Sequence, residues 1–106
     1  MPELPEVEIV RRGLEPAMLG KKIKKIIINR YDLRGGIPHD FQGKLQGQAI
    51  KILLRRGKYI IALCDNNDGF VLHLGMSGRI NIYAPNESYE PAKHDHALFM
   101  MEDGTH

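Results

Sequence analysis

Tryptophan is absent from this sequence of 106 residues, and cysteine occurs once, at Cys64. A single cysteine excludes an internal disulfide and a cysteine-rich zinc site, and it is typical of a reducing compartment. No apolar run approaches the roughly 20 residues that span a membrane. The amino terminus is acidic and has no apolar stretch, so no secretory signal is predicted. We therefore expect a cytoplasmic protein that has no membrane partner.

What the chain does contain is an ordinary globular composition with a slight excess of positive charge. Hydrophobic residues make up 42% and charged residues 26%, which leaves enough apolar content for a buried core. A length of 106 residues allows one domain at most, over residues 1–106. The net charge of +2 permits an anionic partner without requiring one.

Hydrophobic periodicity divides the chain into one helix followed by short strands. Val7, Val10 and Leu14 recur at spacings of three and four residues, which predicts a helix over 5–15 that Pro16 should limit. Apolar runs bounded by turn residues predict strands over 21–29, 49–55, 58–65, 70–74, 79–83 and 96–102, with a helical turn within 38–47. The expected fold class is mostly β with a helix (α+β): a β-sandwich of short antiparallel strands flanked by an N-terminal helix.

Two of the predicted strands carry patterns that concern their surfaces. The strand over 49–55 alternates, so we expect one of its faces to carry Ile50, Ile52 and Leu54. The strand over 21–29 contains four lysines. They form either a phosphate-binding patch or a solvated face that keeps a sheet edge soluble, and the second interpretation is favoured.

The first eight residues contain the chemistry for which the rest of the chain can serve as a scaffold. If Met1 is removed, Pro2 becomes a terminal secondary amine, which can attack an aldehyde-level carbon and form an iminium ion. Such an amine titrates at about pH 8, so a useful fraction of the amine is neutral at physiological pH. Glu3 stands beside it as an acid–base group. The alternative is structural: Pro5 opens a helix, and Pro2 does no chemistry.

Four sequence blocks resemble those of bacterial formamidopyrimidine-DNA glycosylases, which remove oxidised purines from DNA. The first block is PELPEVE at 2–8, followed by RRGLEP at 11–16. The others, in the order found in the family, are RRGKY at 55–59, HLGMSG at 73–78 and KHDH at 93–96. Agreement of several independent blocks over nearly the whole chain is far stronger than any one motif.

The resemblance implies a bifunctional enzyme of base-excision repair. It would be a DNA glycosylase that removes formamidopyrimidine and 8-oxoguanine and a lyase at apurinic or apyrimidinic sites, acting on double-stranded DNA that contains an oxidised base or an abasic site. Leu4 favours this branch, because endonuclease VIII-type enzymes, which act on oxidised pyrimidines, carry glycine there. An endonuclease VIII-type glycosylase and a non-enzymatic DNA-binding domain stay open as alternatives. Tautomerase chemistry at Pro2 fits the terminus but not the other blocks.

Members of this family have a second half, with a helix-two-turns-helix module and a C-terminal zinc finger. We therefore expect residues 1–106 to be the N-terminal domain of such a protein, without a cofactor of its own and weakly active or inactive alone. One zinc ion is expected in the finger of the full-length protein. The full-length protein is expected to be monomeric and associated with the bacterial nucleoid.

Three residues are catalytic by resemblance. Pro2 attacks the anomeric carbon of an extruded nucleotide, Glu3 protonates the sugar ring oxygen, and Lys58 assists the elimination that cleaves the strand. The residues alone leave Lys58 open as a turn lysine in a basic hairpin corner. His73 is expected to support the turn at 75–78 rather than to bind a ligand.

Four further residues are candidates for DNA contact. Met76 resembles the wedge that fills the gap left by the extruded base, although a methionine in a turn commonly packs against a core. His94, with Lys93, resembles a phosphate-binding pair, and Arg34 before two glycines can reach a backbone phosphate. The spacing of His94 and His96 also permits a metal site, for which no further ligand can be named.

Retention of Met1 should abolish the covalent chemistry. With Met1 attached, the Pro2 nitrogen is a tertiary amide whose lone pair is delocalised into the carbonyl and cannot attack carbon. We expect protein that retains Met1 to form no borohydride-trappable complex with abasic-site DNA, and protein processed to Pro2 to trap readily. Intact-mass spectrometry distinguishes the two species. An adduct on Met1-bearing protein would remove Pro2 from the centre of the mechanism.

Overall fold

The computed structural model describes residues 4–29, 40–74, 79–89 and 96–106. Its elements, in chain order, are α1 (Leu4–Met18), β1 (Ile23–Ile28), α2 (Phe41–Leu45), β2 (Ile50–Arg56), β3 (Tyr59–Cys64), β4 (Gly69–His73) and β5 (Ala97–Met101). β1 pairs antiparallel with β5, and β2, β3 and β4 form a three-stranded antiparallel sheet. The expected fold, mostly β with an N-terminal helix, is confirmed, and the bounds of these five strands lie within two residues of those predicted.

One cluster of buried side chains joins the helix to both sheets. α1 contributes Val7 and Leu14, which are 1% and 3% exposed, on the face that the spacing predicted. The sheets contribute Ile23, Ile26, Ile50, Leu53, Ile60, Ala62, Phe70 and Met101. Because two sheets and a helix bury apolar surface against the same cluster, the core of the sandwich holds all three together.

α1 continues past Pro16, so the prediction that this proline limits the helix was wrong. The helix ends at Met18, and the amide of Leu19 still donates to the carbonyl of Glu15 at 2.9 Å. Proline removes one backbone donor near the end of the helix, and burial of Ala17 and Met18 in the core offsets that loss. Within the described residues, neither helix is long and apolar enough to cross a membrane.

A β-bulge changes which side chains of β2 face the core. The pairing with β3 shifts between Ile50 and Ile52, so strict alternation breaks down at that point. Ile50 and Leu53 are buried whereas Ile52 is 39% exposed, so Ile50 and Ile52 do not share the face predicted from the alternating pattern. An extra residue on one strand moves every following side chain to the other face of the sheet.

The strand predicted over 79–83 is not formed. The described part of this segment is irregular, and its one paired position is Tyr83, which exchanges two backbone hydrogen bonds with His106, at 2.6 and 3.0 Å. A strand needs a neighbour along its length, and β-branched residues alone do not supply one. Ile80 nonetheless packs against the core, so the segment closes the sandwich without extending a sheet.

The outer edge of β1 is covered by α2 and the turn that follows it. The side-chain oxygen of Gln46 accepts a hydrogen bond from the amide of Ile26, and the side-chain amide of Gln42 donates to the carbonyl of Ile26, each at 2.9 Å. The backbone of Ile23 is satisfied by Gly47 and Gln48. Side chains and a turn therefore satisfy backbone groups that a neighbouring strand would otherwise pair.

Two glycine-to-alanine substitutions should change stability in opposite directions. A Cβ at Gly69 would collide with the carbonyl oxygen of Ala62 and lie 2.9 Å from a methyl group of Leu63. We expect Gly69→Ala to lower the free energy of unfolding by about 1–3 kcal/mol, the cost of overpacking. Gly13 lies in α1 with nothing within 4 Å of a new Cβ.

Gly13→Ala should accordingly stabilise by about 0.5–1 kcal/mol, because alanine is the better helix former. Urea denaturation of both variants and the unsubstituted chain measures the two effects. Equal free energies of unfolding for the two variants would contradict the close approach of β3 to Gly69.

Candidate functional site

Lys58 lies at the tip of the hairpin between β2 and β3. Arg56 pairs with Tyr59 in the antiparallel register, so Gly57 and Lys58 form a two-residue turn. Gly57 has a φ of 59°, a left-handed conformation at the position that glycine occupies in type II′ hairpin turns. The prediction that Lys58 sits at the mouth of a hairpin is therefore confirmed.

The carboxylate of Glu8, in the second turn of α1, accepts hydrogen bonds from three arginines. Arg11 approaches it with two nitrogens, Nε at 2.8 Å and Nη2 at 2.7 Å, in a bidentate arrangement. Arg12 Nε donates at 2.9 Å and Arg55 Nε at 3.3 Å. Two of these arginines lie on α1 and one on β2, so a single side chain connects the helix to the hairpin.

Arg55 also contacts the turn that carries Lys58. Its Nη1 donates to the carbonyl oxygen of Gly57 at 3.0 Å, while its Nε contacts Glu8. The guanidinium group is planar and rigid, so holding one nitrogen orients the others. A continuous series of contacts therefore runs from α1 through Glu8 and Arg55 to the residue preceding Lys58.

Arg11 is held from both sides along the helix. Its Nη1 contacts Glu15 at 2.8 Å and the backbone carbonyl of Leu53 at 3.4 Å, and its side chain is 18% exposed. Hydrogen bonds from Arg11, opposed by desolvation and supported by Arg12, lower the pKa of Glu8 from 4.5 to about 2. The same contact raises the pKa of Arg11 above its usual value. The network therefore stays fully charged at neutral pH.

His73, at the end of β4, lies beside the residue that follows Lys58. It pairs with Tyr59 in the sheet register, and the two rings are 4.8 Å apart at an interplanar angle of 34°. Its Nδ1 is buried and has no hydrogen-bond partner in the described part of the chain. Sequence analysis missed this proximity, which follows from the register of β3 and β4. Whether His73 also supports the turn at 75–78 is not tested, because that turn lies outside the described residues.

Most other predicted site residues also lie outside the described part of the chain. They are Pro2, Glu3, Arg34, Met76, Lys93 and His94. Their assigned roles remain predictions. The metal alternative for 93–96 is not tested, because His94 lies outside the described residues.

The lysines of β1 and the segment before it lie away from Lys58. Lys22 forms a bridge with Ala49, just before β2, whereas Lys58 lies two residues after the end of β2. Lys21 pairs with Asp103 at 2.6 Å, and Lys22, Lys24 and Lys25 are exposed. The exposed lysines therefore form a solvated face near the start of β2, at the end of that strand opposite to Lys58.

These features define a class: a small antiparallel sandwich whose amino-terminal helix is joined by ionic contacts to a basic hairpin. The whole chain, residues 1–106, matches the family model described as the formamidopyrimidine-DNA glycosylase N-terminal domain. The chain belongs to this family.

Relatives of known sequence and structure agree with the family model. The formamidopyrimidine-DNA glycosylase of Caulobacter vibrioides is 46% identical over 114 residues, covering 98% of this chain and 40% of the relative. The Lactococcus lactis formamidopyrimidine-DNA glycosylase, bound non-covalently to DNA containing an AP site, superposes with a TM-score of 0.84 at 34% identity, covering 98% of this chain and 39% of that one. A second complex of the L. lactis protein, with DNA containing FAPY-dG, gives 0.83 at 34% identity, covering 97% and 38%. The chain thus spans about two fifths of the length of these relatives.

Glu8→Gln should make stability less dependent on pH. Because the folded pKa of Glu8 is about 2 and its ordinary value is 4.5, its stabilising effect is complete above about pH 4.5 and is lost as the pH falls through about 2. We expect the variant to melt at a lower temperature than the unsubstituted chain at pH 7 and to approach it near pH 2. Calorimetry across this range measures the difference.

Glu15→Gln is the matched control for this measurement. Its carboxylate contacts one arginine instead of three, so the loss at pH 7 should be smaller. If Glu8→Gln lowered the melting temperature by the same amount at pH 7 and at pH 2, the result would contradict the assigned network.

Proposed function

We propose that this chain is the N-terminal part of a DNA-repair glycosylase that removes oxidised purines and then cleaves the strand as a lyase, through a Schiff base at Pro2. Family membership over residues 1–106 supports the glycosylase class. The solved relatives support the substrate class, because they are bound to DNA containing FAPY-dG or an AP site.

The observation that carries the proposal is the connection between the two ends of the candidate site. α1 begins at Leu4, so Pro2 and Glu3 immediately precede its first turn. Glu8, one turn further along, is joined through Arg55 to the turn that presents Lys58. The contacts hold the helix that follows the proposed nucleophile and the hairpin that carries the proposed proton donor on one frame, and a two-step reaction on one sugar requires its two groups to keep a fixed relative position.

The chemistry follows from the residue types at these positions. The damaged nucleotide leaves the base stack, at a cost of a few kcal/mol that is lower for a damaged base. The neutral Pro2 nitrogen forms a bond to the anomeric carbon, and the base departs with the electrons of the glycosidic bond and takes up the proton that the proline nitrogen loses. Glu3 protonates the ring oxygen as the ring opens and the iminium ion forms. The resulting iminium ion acidifies the neighbouring carbon, which loses a proton to solvent water. The phosphate ester bond then breaks with its electron pair on the departing oxygen, to which Lys58 donates a proton.

Four further residues are assigned contacts with DNA. Met76 fills the gap left by the extruded base, and Arg34, Lys93 and His94 contact backbone phosphates. Arg56, exposed beside Lys58, adds positive charge at the hairpin. Zinc is assigned to the finger in the second half of the full-length protein and has no proposed role within residues 1–106.

Borohydride trapping on abasic-site DNA tests the proposal. Two proteins processed to Pro2 are compared: the 106-residue chain, and a full-length chimaera in which residues 1–106 replace the matching region of the C. vibrioides relative. We expect the chimaera to form a covalent complex that maps to Pro2 and to excise oxidised purine from duplex DNA. DNA binding without trapping by either protein would identify a non-enzymatic binding domain, and excision of oxidised pyrimidines alone would identify an endonuclease VIII-type enzyme.

Lys58→Ala in the chimaera should slow strand scission while leaving the fold intact. Loss of a positioned proton donor costs about a hundredfold or more, and a partly exposed turn side chain contributes little to stability. Gel-based scission kinetics and the melting temperature measure the two effects. Lys24→Ala removes an exposed lysine from the opposite end of the sandwich and is the matched control. Scission by Lys58→Ala at the control rate would exclude the assigned role.

A further inference from the structure

Hydrogen bonds of Arg55 connect α1 to the turn that carries Lys58, because Arg55 donates both to Glu8 and to the carbonyl of Gly57. We propose that Glu8 is a positioning residue for strand scission: through Arg55 it holds the Gly57–Lys58 turn in place relative to α1, and so places Lys58 relative to the iminium ion on Pro2. The inference rests on the proposed function and assigns to Glu8 no contact with DNA.

The two oxygens of Glu8 have separate partners. Oε2 accepts from Arg11 Nη2 and Arg12 Nε, both on α1. Oε1 accepts from Arg11 Nε and from Arg55 Nε, which lies 47 residues away in sequence. The bidentate contact with Arg11 fixes the plane of the carboxylate. Oε1 is therefore already oriented when it meets Arg55, and the contact between elements is directional.

Arg55 transfers this orientation to the turn. Its Nε contacts Glu8 and its Nη1 contacts the carbonyl of Gly57, so one planar group connects two acceptors. The Gly57 carbonyl belongs to the peptide bond that leads into Lys58, and a peptide unit is planar. Holding that oxygen fixes the direction in which the chain enters Lys58. A lysine at position 55 has its donors on a single, freely rotating nitrogen, so it does not reproduce the fixed planar geometry of these two contacts.

The position of Lys58 matters because the reaction needs two groups from different elements. The amine is attached to α1 through Glu3, and the proton donor stands on the hairpin. Misplacement of a reacting group by about 1 Å can cost on the order of a hundredfold in rate. The contacts between α1 and β2 that are purely apolar do not set direction, since burial is non-directional. The Glu8–Arg55 contact supplies that direction.

The geometry is tested on the chain itself, independently of any activity. Amide resonances of Gly57 and Lys58 are compared in nuclear magnetic resonance spectra of Glu8→Gln, Arg55→Lys and the control Glu15→Gln. Glu15 contacts Arg11 but has no contact with Arg55 in the described structure. We expect both amides to shift in the first two variants and to stay in place in the control. Unshifted amides in Glu8→Gln would overturn the proposal.

The catalytic consequence is tested in the chimaera, with trapping and scission measured on the same abasic-site DNA. Trapping needs only Pro2 and Glu3, so the rate of trapping by Glu8→Gln should stay within about twofold of that of the unsubstituted protein. Scission should fall by about tenfold to a hundredfold, the range expected for a displaced donor. In a Lys58→Ala background, Glu8→Gln should cause no further loss, because the two residues act through one group.

Three results would overturn the inference. The first is that Glu8→Gln cleaves the strand at the same rate as Glu15→Gln. The second is that trapping and scission by Glu8→Gln fall by the same factor. The third, which is the outcome expected of general destabilisation, is that the losses caused by Glu8→Gln and Lys58→Ala add. Failure of the proposed function is seen separately, because the unsubstituted chimaera would then neither trap nor cleave, and the inference would fall with it.

Discussion

The carboxylate of Glu8 is shared by three guanidinium groups, and the geometry of the candidate site depends on that sharing. Isolated surface ion pairs contribute little, because solvent screens them and their side chains lose freedom. This network differs in having one bidentate pair, low exposure of Arg11 and a member from another element. If the carboxylate were neutral, three positive groups would remain close together without a counter-charge. The structure therefore needs Glu8 charged, and its lowered pKa, about 2, ensures that over the physiological range.

The core and the network hold α1 in different ways. Val7 and Leu14 bury the helix against both sheets, and that apolar contact is strong but tolerates sliding and rotation. Hydrogen bonds are directional, so contacts from Glu8 and Arg11 to β2 set where along the sheet the helix begins. For a domain whose chemistry is expected just ahead of the first helical turn, the axial position of that turn matters more than the total strength of packing.

Sequence reasoning succeeded where the signal is local. The spacing of Val7, Val10 and Leu14 identified α1, and Gly57 between two apolar runs placed Lys58 at a turn. It failed where tertiary contacts override local preference, as at Pro16, where burial of the following residues carries the helix onward. A pattern of period two does not reveal the bulge in β2, so Ile50 and Ile52 were wrongly predicted to share a face.

The contact between Glu8 and Arg55 could not be predicted either, since 47 residues separate them and no periodicity connects a helix to a distant strand. Charges on α1 could be paired only with their helical neighbours. His73 is an intermediate case: register counting from the turn before β4 would have placed it beside Tyr59. The roles of Pro2, Glu3 and Met76 still depend on family resemblance.

Gln42 in α2 and Gln46 directly after it have a consequence for how this domain behaves at high concentration. An uncovered strand edge offers its amides and carbonyls as a template for another chain, which is a common route to aggregation and domain swapping. Gln42 and Gln46 occupy those groups at Ile26 with side chains that a passing strand must displace. The five-residue helix α2, which is anchored in the core by Leu45, and the residue after it thus take the place of a neighbouring strand. They close the edge of β1 without providing a new backbone edge for further growth of the sheet.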